Sequence, residues 1–437
     1  MTESPASAQP VQLRRAVASS YLGSVIEYYD FLLYATASAL VFGKVFFSGL
    51  PPLAATVASL GTFATGYLAR PLGGVIFGHF GDRLGRKRML ILTMVLMGVV
   101  SFLIGLLPTY EQIGSLAPIT LVLLRVVQGV AVGGEWGGAV LMSAEHATGR
   151  RGLWASFTNA GAPSGMLLST AVLSGSAAVL GEREFLSWGW RVPFLISIAL
   201  LGVGLFVRAR VEETPVFTAA RRQDASAPLL DVLRHHPRTL LLGVGVGLSA
   251  FVLQGTLTTF LLAYGVEAGF ARQEVLNGLT LSSGLAILGI LGWSALSDRV
   301  GRRPVVLAGA VLAAVYSFLL FPVADTGSVA LLTLLLVLGQ SVIHPMMYGP
   351  LAALYAELFS TRSRYTGASL GYQLAGLGAG LAPVVFAQIR AANDGGGTMV
   401  ISAVIAAFCL LTVGCALALR ETSRTDLAGG PISEGVR

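Results

Sequence analysis

Residues 61–92 read GTFATGYLARPLGGVIFGHFGDRLGRKRMLIL. A long apolar run ends in GDRLGRKR, and apolar residues resume at once. Hydrocarbon does not tolerate charge at that density, so the stretch reads as two membrane helices joined by a very short basic turn. A related turn returns at 297–304 as SDRVGRRP, aligning Asp82 with Asp298, Gly85 with Gly301 and Arg86 with Arg302. Taken as equivalent, the two turns divide the chain into two related halves. The match is partial, because Gly78 in the first corresponds to Ser294 in the second.

Composition agrees. The chain has 437 residues, 54% of them hydrophobic and only 12% charged, with a mean hydropathy of +0.75. A soluble protein carries roughly 25% charged residues, so this is the composition of a polytopic membrane protein. The net charge of +7 calls for no nucleic-acid partner. Basic residues gather at the ends of every second apolar segment, as at Arg83, Arg86, Lys87 and Arg88, Arg150 and Arg151, and Arg299, Arg302 and Arg303. That is the positive-inside pattern, and it sets both termini in the cytoplasm. Cys409 and Cys415 lack metal-ligand or redox spacing. The first apolar segment is too long for a cleavable signal and carries charge, so it is expected to remain as helix 1.

Twelve apolar segments are long enough to cross a bilayer: 18–45, 54–80, 88–108, 115–144, 153–180, 190–209, 239–266, 272–296, 304–322, 327–355, 366–390 and 397–419. The expected organisation is a cytoplasmic tail at 1–17, a six-helix bundle at 18–209, a cytoplasmic linker at 210–238, a second six-helix bundle at 239–419 and a cytoplasmic tail at 420–437. The turn from Glu145 to Arg151 resembles that from Glu357 to Arg364, each with an acid at a helix end followed by arginines. Parallel repeats of this kind are a transporter signature, with the substrate held between the halves near the bilayer midplane. Glycines four apart, such as Gly129 and Gly133, point to close helix packing.

Ionisable groups within a membrane are costly, so each is a candidate for function. Glu27, Asp30 and Tyr34 share one face of helix 1, and Arg125 with Gln128 lies in helix 4 at about the depth of Asp30. An Asp30–Arg125 pair across a central cavity is therefore expected, with Asp30 or Glu27 carrying a proton and Arg125 tuning it or holding a substrate carboxylate. A fixed structural ion pair is the alternative. Arg70 and Glu135 fall in the cytoplasmic third, as a stabilising pair or as a gate that includes Glu27. The second half offers mostly neutral groups: Gln254, Gln340, His344, Tyr348, Tyr372 and Gln373, with Asn159 in helix 5. His344 and Tyr348 lie on one helical face, and a histidine is either a proton shuttle or a packing residue. Such a lining suits a small hydroxylated or carboxylated solute. No Gly-Lys-Ser/Thr phosphate loop and no nucleophile elbow is present, so the chain is not expected to be an enzyme or an ATP-driven motor. No metal or cofactor is expected. The energy must come from an ion gradient, the substrate gradient or a partner chain.

The turn GHFGDRLGRKR resembles the signature loop of the major facilitator superfamily, and Arg125-Val126-Val127-Gln128-Gly129 resembles its helix 4 motif. VIEYYDFLLY (25–34), YLARPLGGVIFGHFGDRLGR (67–86), GVAVGGEWGGA (129–139), GWRVPFLIS (189–197) and VEETPVF (211–217) resemble the metabolite:proton symporter branch, and 347–375 is similar to shikimate-type permeases. The resemblance implies an all-α membrane protein of twelve transmembrane helices in two pseudo-symmetric six-helix bundles, working by alternating access as a monomer in a bacterial inner membrane. It implies proton-coupled uptake of a small organic acid such as shikimate. Uptake of a zwitterion such as proline or betaine, proton-coupled efflux, and a sensor without flux are the alternatives. It also implies a gate: Asp82 would accept hydrogen bonds at the N-terminus of helix 11, with Arg83, Arg86, Glu145, Asp298, Arg302 and Glu357 around the two turns.

Overall fold

The computed structural model describes residues 5–84, 86–145, 147, 149–209, 228–359 and 364–423. Side chains at 5–12, 14–16, 78–84, 86–87, 90, 142, 145, 207–209, 228 and 231 lie outside the description. Among the described residues there is no strand, and twelve long helices follow one another. In the first half they are α1 (Pro5–Leu40), α2 (Pro52–Leu84), α3 (Arg86–Leu106), α4 (Leu116–Gly133, resuming as Trp136–Glu145), α5 (Arg151–Glu184) and α6 (Arg191–Ala209). In the second half α7 runs over Pro237–Gly255, passes through a widened π-helical turn and continues as Leu261–Glu267. Then come α8 (Arg272–Val300), α9 (Arg302–Ala324), α10 (Val329–Val337, a π-helical turn, then His344–Leu358), α11 (Arg364–Ala392) and α12 (Thr398–Ala418). A helix closes all its hydrogen bonds within one segment, which is why hydrocarbon selects it.

Eight of these are long and apolar enough by themselves to cross a membrane, and Ile91–Leu106 and Arg191–Phe206 are shorter apolar helices. Some of the described helices run beyond the expected apolar spans, as α2 (Pro52–Leu84 against 54–80) and α8 (Arg272–Val300 against 272–296) do, whereas α6 and α12 fall within theirs. Residues 5–17, expected as a tail, are helical and continuous with α1. Of the expected linker, 210–227 lies outside the described residues, and Pro228–His235 is a short amphipathic helix.

The halves meet along α2 with α11 and α5 with α8. Within the first half, glycine lets backbones touch. A Cβ on Gly129 would overlap the Gly66 carbonyl oxygen, and one on Gly133 the Arg70 carbonyl oxygen. This α2–α4 approach brings Arg70 and Arg125 into the middle of the protein. Between the halves, a Cβ on Gly380 of α11 would run into the Tyr67 ring of α2.

Candidate functional site

The central seam is polar and aromatic. Tyr28 of α1, Tyr348 of α10 and Tyr372 of α11 bring their hydroxyls together, with oxygens 2.6 Å apart for Tyr28–Tyr372, 2.7 Å for Tyr348–Tyr372 and 3.5 Å for Tyr28–Tyr348. α4 breaks at Gly134–Glu135 and restarts at Trp136, whose indole lies on the Tyr372 ring at 3.6 Å. Trp136 Nε1 donates to Asn159 Oδ1 (3.1 Å), and Asn159 Nδ2 donates to the Tyr348 carbonyl (2.9 Å). The break frees carbonyls that the second half uses: Gln373 Nε2 donates to Gly133 O and the Tyr365 hydroxyl to Gly134 O.

Beside this seam lies a small space of about 20 Å³, walled by Leu32, Pro163 and Met166 of the first half and by Gln254, Gln340, His344 and Tyr348 of the second. That volume holds about one water. Both π-helical turns, at 256–260 and 338–343, adjoin it. Such turns add a residue to the helix and often mark functional positions. The Gln340 amide is fixed by two serines, accepting from Ser282 and donating to Ser283, both at 3.0 Å. His344 stacks on Tyr348 at 5.0 Å.

Asp30 and Arg125 are not paired across this space. Asp30, 1% exposed, accepts from Ser197 of α6, has Ser101 of α3 close by, and lines a small pocket inside the first bundle with Glu27 and Glu135. Arg125 instead lies against the rings of Phe31 (3.8 Å), Tyr34 (4.2 Å) and Phe63 (5.2 Å). The reason is helical geometry. Adjacent residues point about 100° apart, so α1 shows Phe31 to Arg125 while Asp30 faces α3 and α6. The two are joined at second hand: Arg125 Nη1 donates to Gln128 Oε1, Gln128 Nε2 donates to Ser101 Oγ (2.8 Å), and Ser101 stands beside Asp30. Tyr34 leaves the Glu27–Asp30 face and donates to Thr62 of α2 (2.7 Å). Arg70 turns to the rings of Phe31 and Tyr67 rather than to Glu135, and feels the charge of Glu27.

At one end of the seam, the Asp298 carboxylate accepts from Gly152 N (2.7 Å) and Leu153 N (2.9 Å), capping the N-terminus of α5. Arg302 binds Asp298 (2.7 Å) and Glu357 (3.3 Å), and Arg151 reaches Glu357 from the first half (3.5 Å). The segment after α12 joins in: Glu421 accepts from Arg302 N and Arg303 N, and Thr422 donates to Glu357. Burial pushes the Glu421 carboxyl up, but the backbone N–H groups of Arg302, Ser423 and Arg303 outweigh it and hold it below the ordinary glutamate range. Asp82, Arg83, Arg86 and Glu145 have side chains outside the described ones, as do residues 360–363 ahead of α11. The broad cleft of about 610 Å³ at this end is lined by Arg150, Arg151, Arg299 and Arg302. At the other end Thr280 donates to Thr170, and Arg272 pairs with Glu182 at 3.3 Å. The seam is thus bridged at both ends and in the middle.

Tyr28, Trp136, Ser101, Ser197 and Glu421 were not among the expected site residues. Tyr28 and Trp136 stand within the segments VIEYYDFLLY and GVAVGGEWGGA, whereas the serines and Glu421 become visible only once helices are packed.

The family model of the Major Facilitator Superfamily matches residues 20–383. The chain is 39% identical over 418 residues to the shikimate transporter of Escherichia coli (strain K12), covering 94% of this chain and 95% of that one. It is 33% identical to the proline/betaine transporter of the same organism over 393 residues, covering 86% of this chain and 78% of that one. Among solved structures it superposes on the proton:xylose symporter XylE with a TM-score of 0.74 at 19% identity, over 95% of this chain and 98% of that one. The two-bundle helical architecture, the polar seam between halves and these relatives agree: the chain belongs to the Major Facilitator Superfamily and is a membrane transporter, not an enzyme.

Proposed function

We propose that the protein takes up a small organic acid, shikimate or a close analogue, together with a proton, by alternating access. The observation that carries the coupling is Asp30. Its carboxyl is cut off from water, held by the Ser197 hydroxyl with Ser101 beside it, and in no ion pair among the described residues. A proton bound there neutralises a charge that would otherwise sit bare in the first bundle. The Gln128–Ser101 relay lets Arg125 sense whether that proton is present. Glu27 and Glu135, in the same pocket, lie on the proton's route.

The bundles at 18–209 and 239–419 rock about the tyrosine seam, and the Asp298–Arg302–Glu357 cluster latches the cytoplasmic side. By the repeat, the matching gating role in the first half is assigned to Asp82, Arg83, Arg86 and Glu145, whose side chains lie outside the described ones. Both termini face the cytoplasm of a bacterial inner membrane, and the monomer is the working unit. Gln254, Gln340 and His344 read the hydroxyls of the solute. Organic-acid transport is supported by the similarity to a shikimate transporter.

Purified protein in liposomes with an imposed acid-outside gradient should accumulate labelled shikimate, and collapsing the gradient should stop it. Accumulation that ignores the proton gradient would refute the coupling. A second reading, a zwitterionic osmolyte, follows from the proline/betaine relative; the Trp136 and Tyr372 faces, stacked on each other here, would suit a quaternary ammonium once the halves part. Competition by proline and glycine betaine, with none by shikimate, would favour it.

A further inference from the structure

Among the described residues of the first half two arginines are buried, Arg70 and Arg125, and they are not equivalent. The neighbours of Arg125 come from α1, α2 and α4 of its own bundle. Arg70 stands where the second half reaches in. Its guanidinium carbon is 4.9 Å from the Phe31 ring and 5.0 Å from the Tyr67 ring. It lies within electrostatic reach of Tyr28, Tyr348 and Tyr372, whose hydroxyls close a ring across the seam. Arg70 is 1% exposed, and its Nε and Nη2 donate to nothing among the described residues.

A buried guanidinium with idle N–H groups is costly, and rings attract it without accepting those hydrogens. Glu27 draws it from a distance. Nε and Nη2 are the edge of the guanidinium fork that a carboxylate fits with two parallel hydrogen bonds. The three phenols spend their hydrogens on one another while the seam is closed; parting the halves releases them as donors. Tyr348 also walls the central space that holds Gln254 and Gln340, so an acid anchored near Arg70 would extend toward amides suited to hydroxyls. A solute carried by alternating access must be reachable from both sides, and of the two arginines Arg70 is the one within electrostatic reach of the second half's Tyr348 and Tyr372.

We propose that Arg70, with the hydroxyls of Tyr28, Tyr348 and Tyr372, is the seat that receives the carboxylate of the transported solute. This rests on the protein being an organic-acid carrier. It assigns Arg70 to substrate and leaves Arg125 to the proton relay.

The test is binding of shikimate and of its uncharged methyl ester to the full-length protein in detergent. Wild type should prefer the acid. Arg70→Gln should weaken the acid by about a hundredfold while barely changing the ester, so that the acid-to-ester ratio falls toward one. A merely structural Arg70 would lower both together, and an unchanged ratio overturns the assignment while leaving the carrier intact. Should Arg70→Gln fail to fold, Arg70→Lys and Tyr372→Phe carry the same measurement: lysine keeps the charge but not the fork, and each should reduce the ratio by about tenfold. If wild type prefers the ester or binds neither, while glycine betaine binds, the organic-acid reading falls and the seat falls with it.

Discussion

The indole of Trp136 lies flat on the ring of Tyr372, 3.6 Å between centroids and 10° between planes, and the two belong to opposite halves. The stack forms at the point where α4 breaks, so the helix interruption and the cross-seam contact are one feature.

Trp136→Ala should loosen the closed seam. An aromatic pair contributes about 0.5–1.5 kcal/mol beyond area burial, which moves the closed population roughly two- to tenfold. Distance measurements between spin labels on the two halves would register this. An unchanged distance distribution would mean the stack is incidental.

Asp298→Asn keeps the shape of the α5 cap but removes its charge and one acceptor. A lost cap costs about 1 kcal/mol, which should raise labelling of cysteines placed near Leu153 about fivefold. Membrane insertion should be normal, because the neighbouring basic residues Arg299, Arg302 and Arg303 are untouched.

Asp30→Asn should abolish accumulation driven by a proton gradient while sparing exchange between labelled and unlabelled solute. Equal loss in both assays would make Asp30 structural. Gln128→Leu, which cuts the relay to Arg125, should move the pH midpoint of uptake and leave expression intact.

Gly133→Ala would press a methyl group into the Arg70 carbonyl, and overpacking of that kind costs about 1–3 kcal/mol. The melting temperature should fall. Gly175→Ala, in a helix with nothing within 4 Å of the added carbon, should be neutral or slightly stabilising.

Glu421 sets a pH dependence. Its carboxyl titrates below the ordinary glutamate value when the chain is folded, so the clip to Arg302 and Arg303 is complete above about pH 4.3 and is lost as pH falls through the lower, folded value. Glu421→Gln should therefore speed hydrogen exchange at the Arg302 and Arg303 amides at neutral pH. In wild type, loosening between pH 5 and 7 would contradict this.

The turn at 81–88, its echo at 297–304 and the apolar runs were enough to read the helices and the repeat, because hydrocarbon leaves a chain few options: bonded backbone, apolar surface, and charge only in turns. The same rule singled out Asp30, Arg125, Arg70, Glu135 and His344 as groups needing a reason to be buried. Asp298 could be picked from the repeat alone, but that its carboxylate caps α5 could not.

What the one-dimensional pattern left undecided was direction. Depth along a helix follows from counting residues, and on that count Asp30 and Arg125 could have met. Rotation about the helix axis follows only from packing. Gly129 and Gly133 draw α4 against α2, and α1 then presents Phe31 to both arginines while Asp30 turns to Ser101 and Ser197. The tyrosine ring, the Gln128–Ser101 relay and the Glu421 clip join residues far apart in the chain. Each depends on interhelical distances of a few ångströms, which the order of residues does not state and the close-packed fold does.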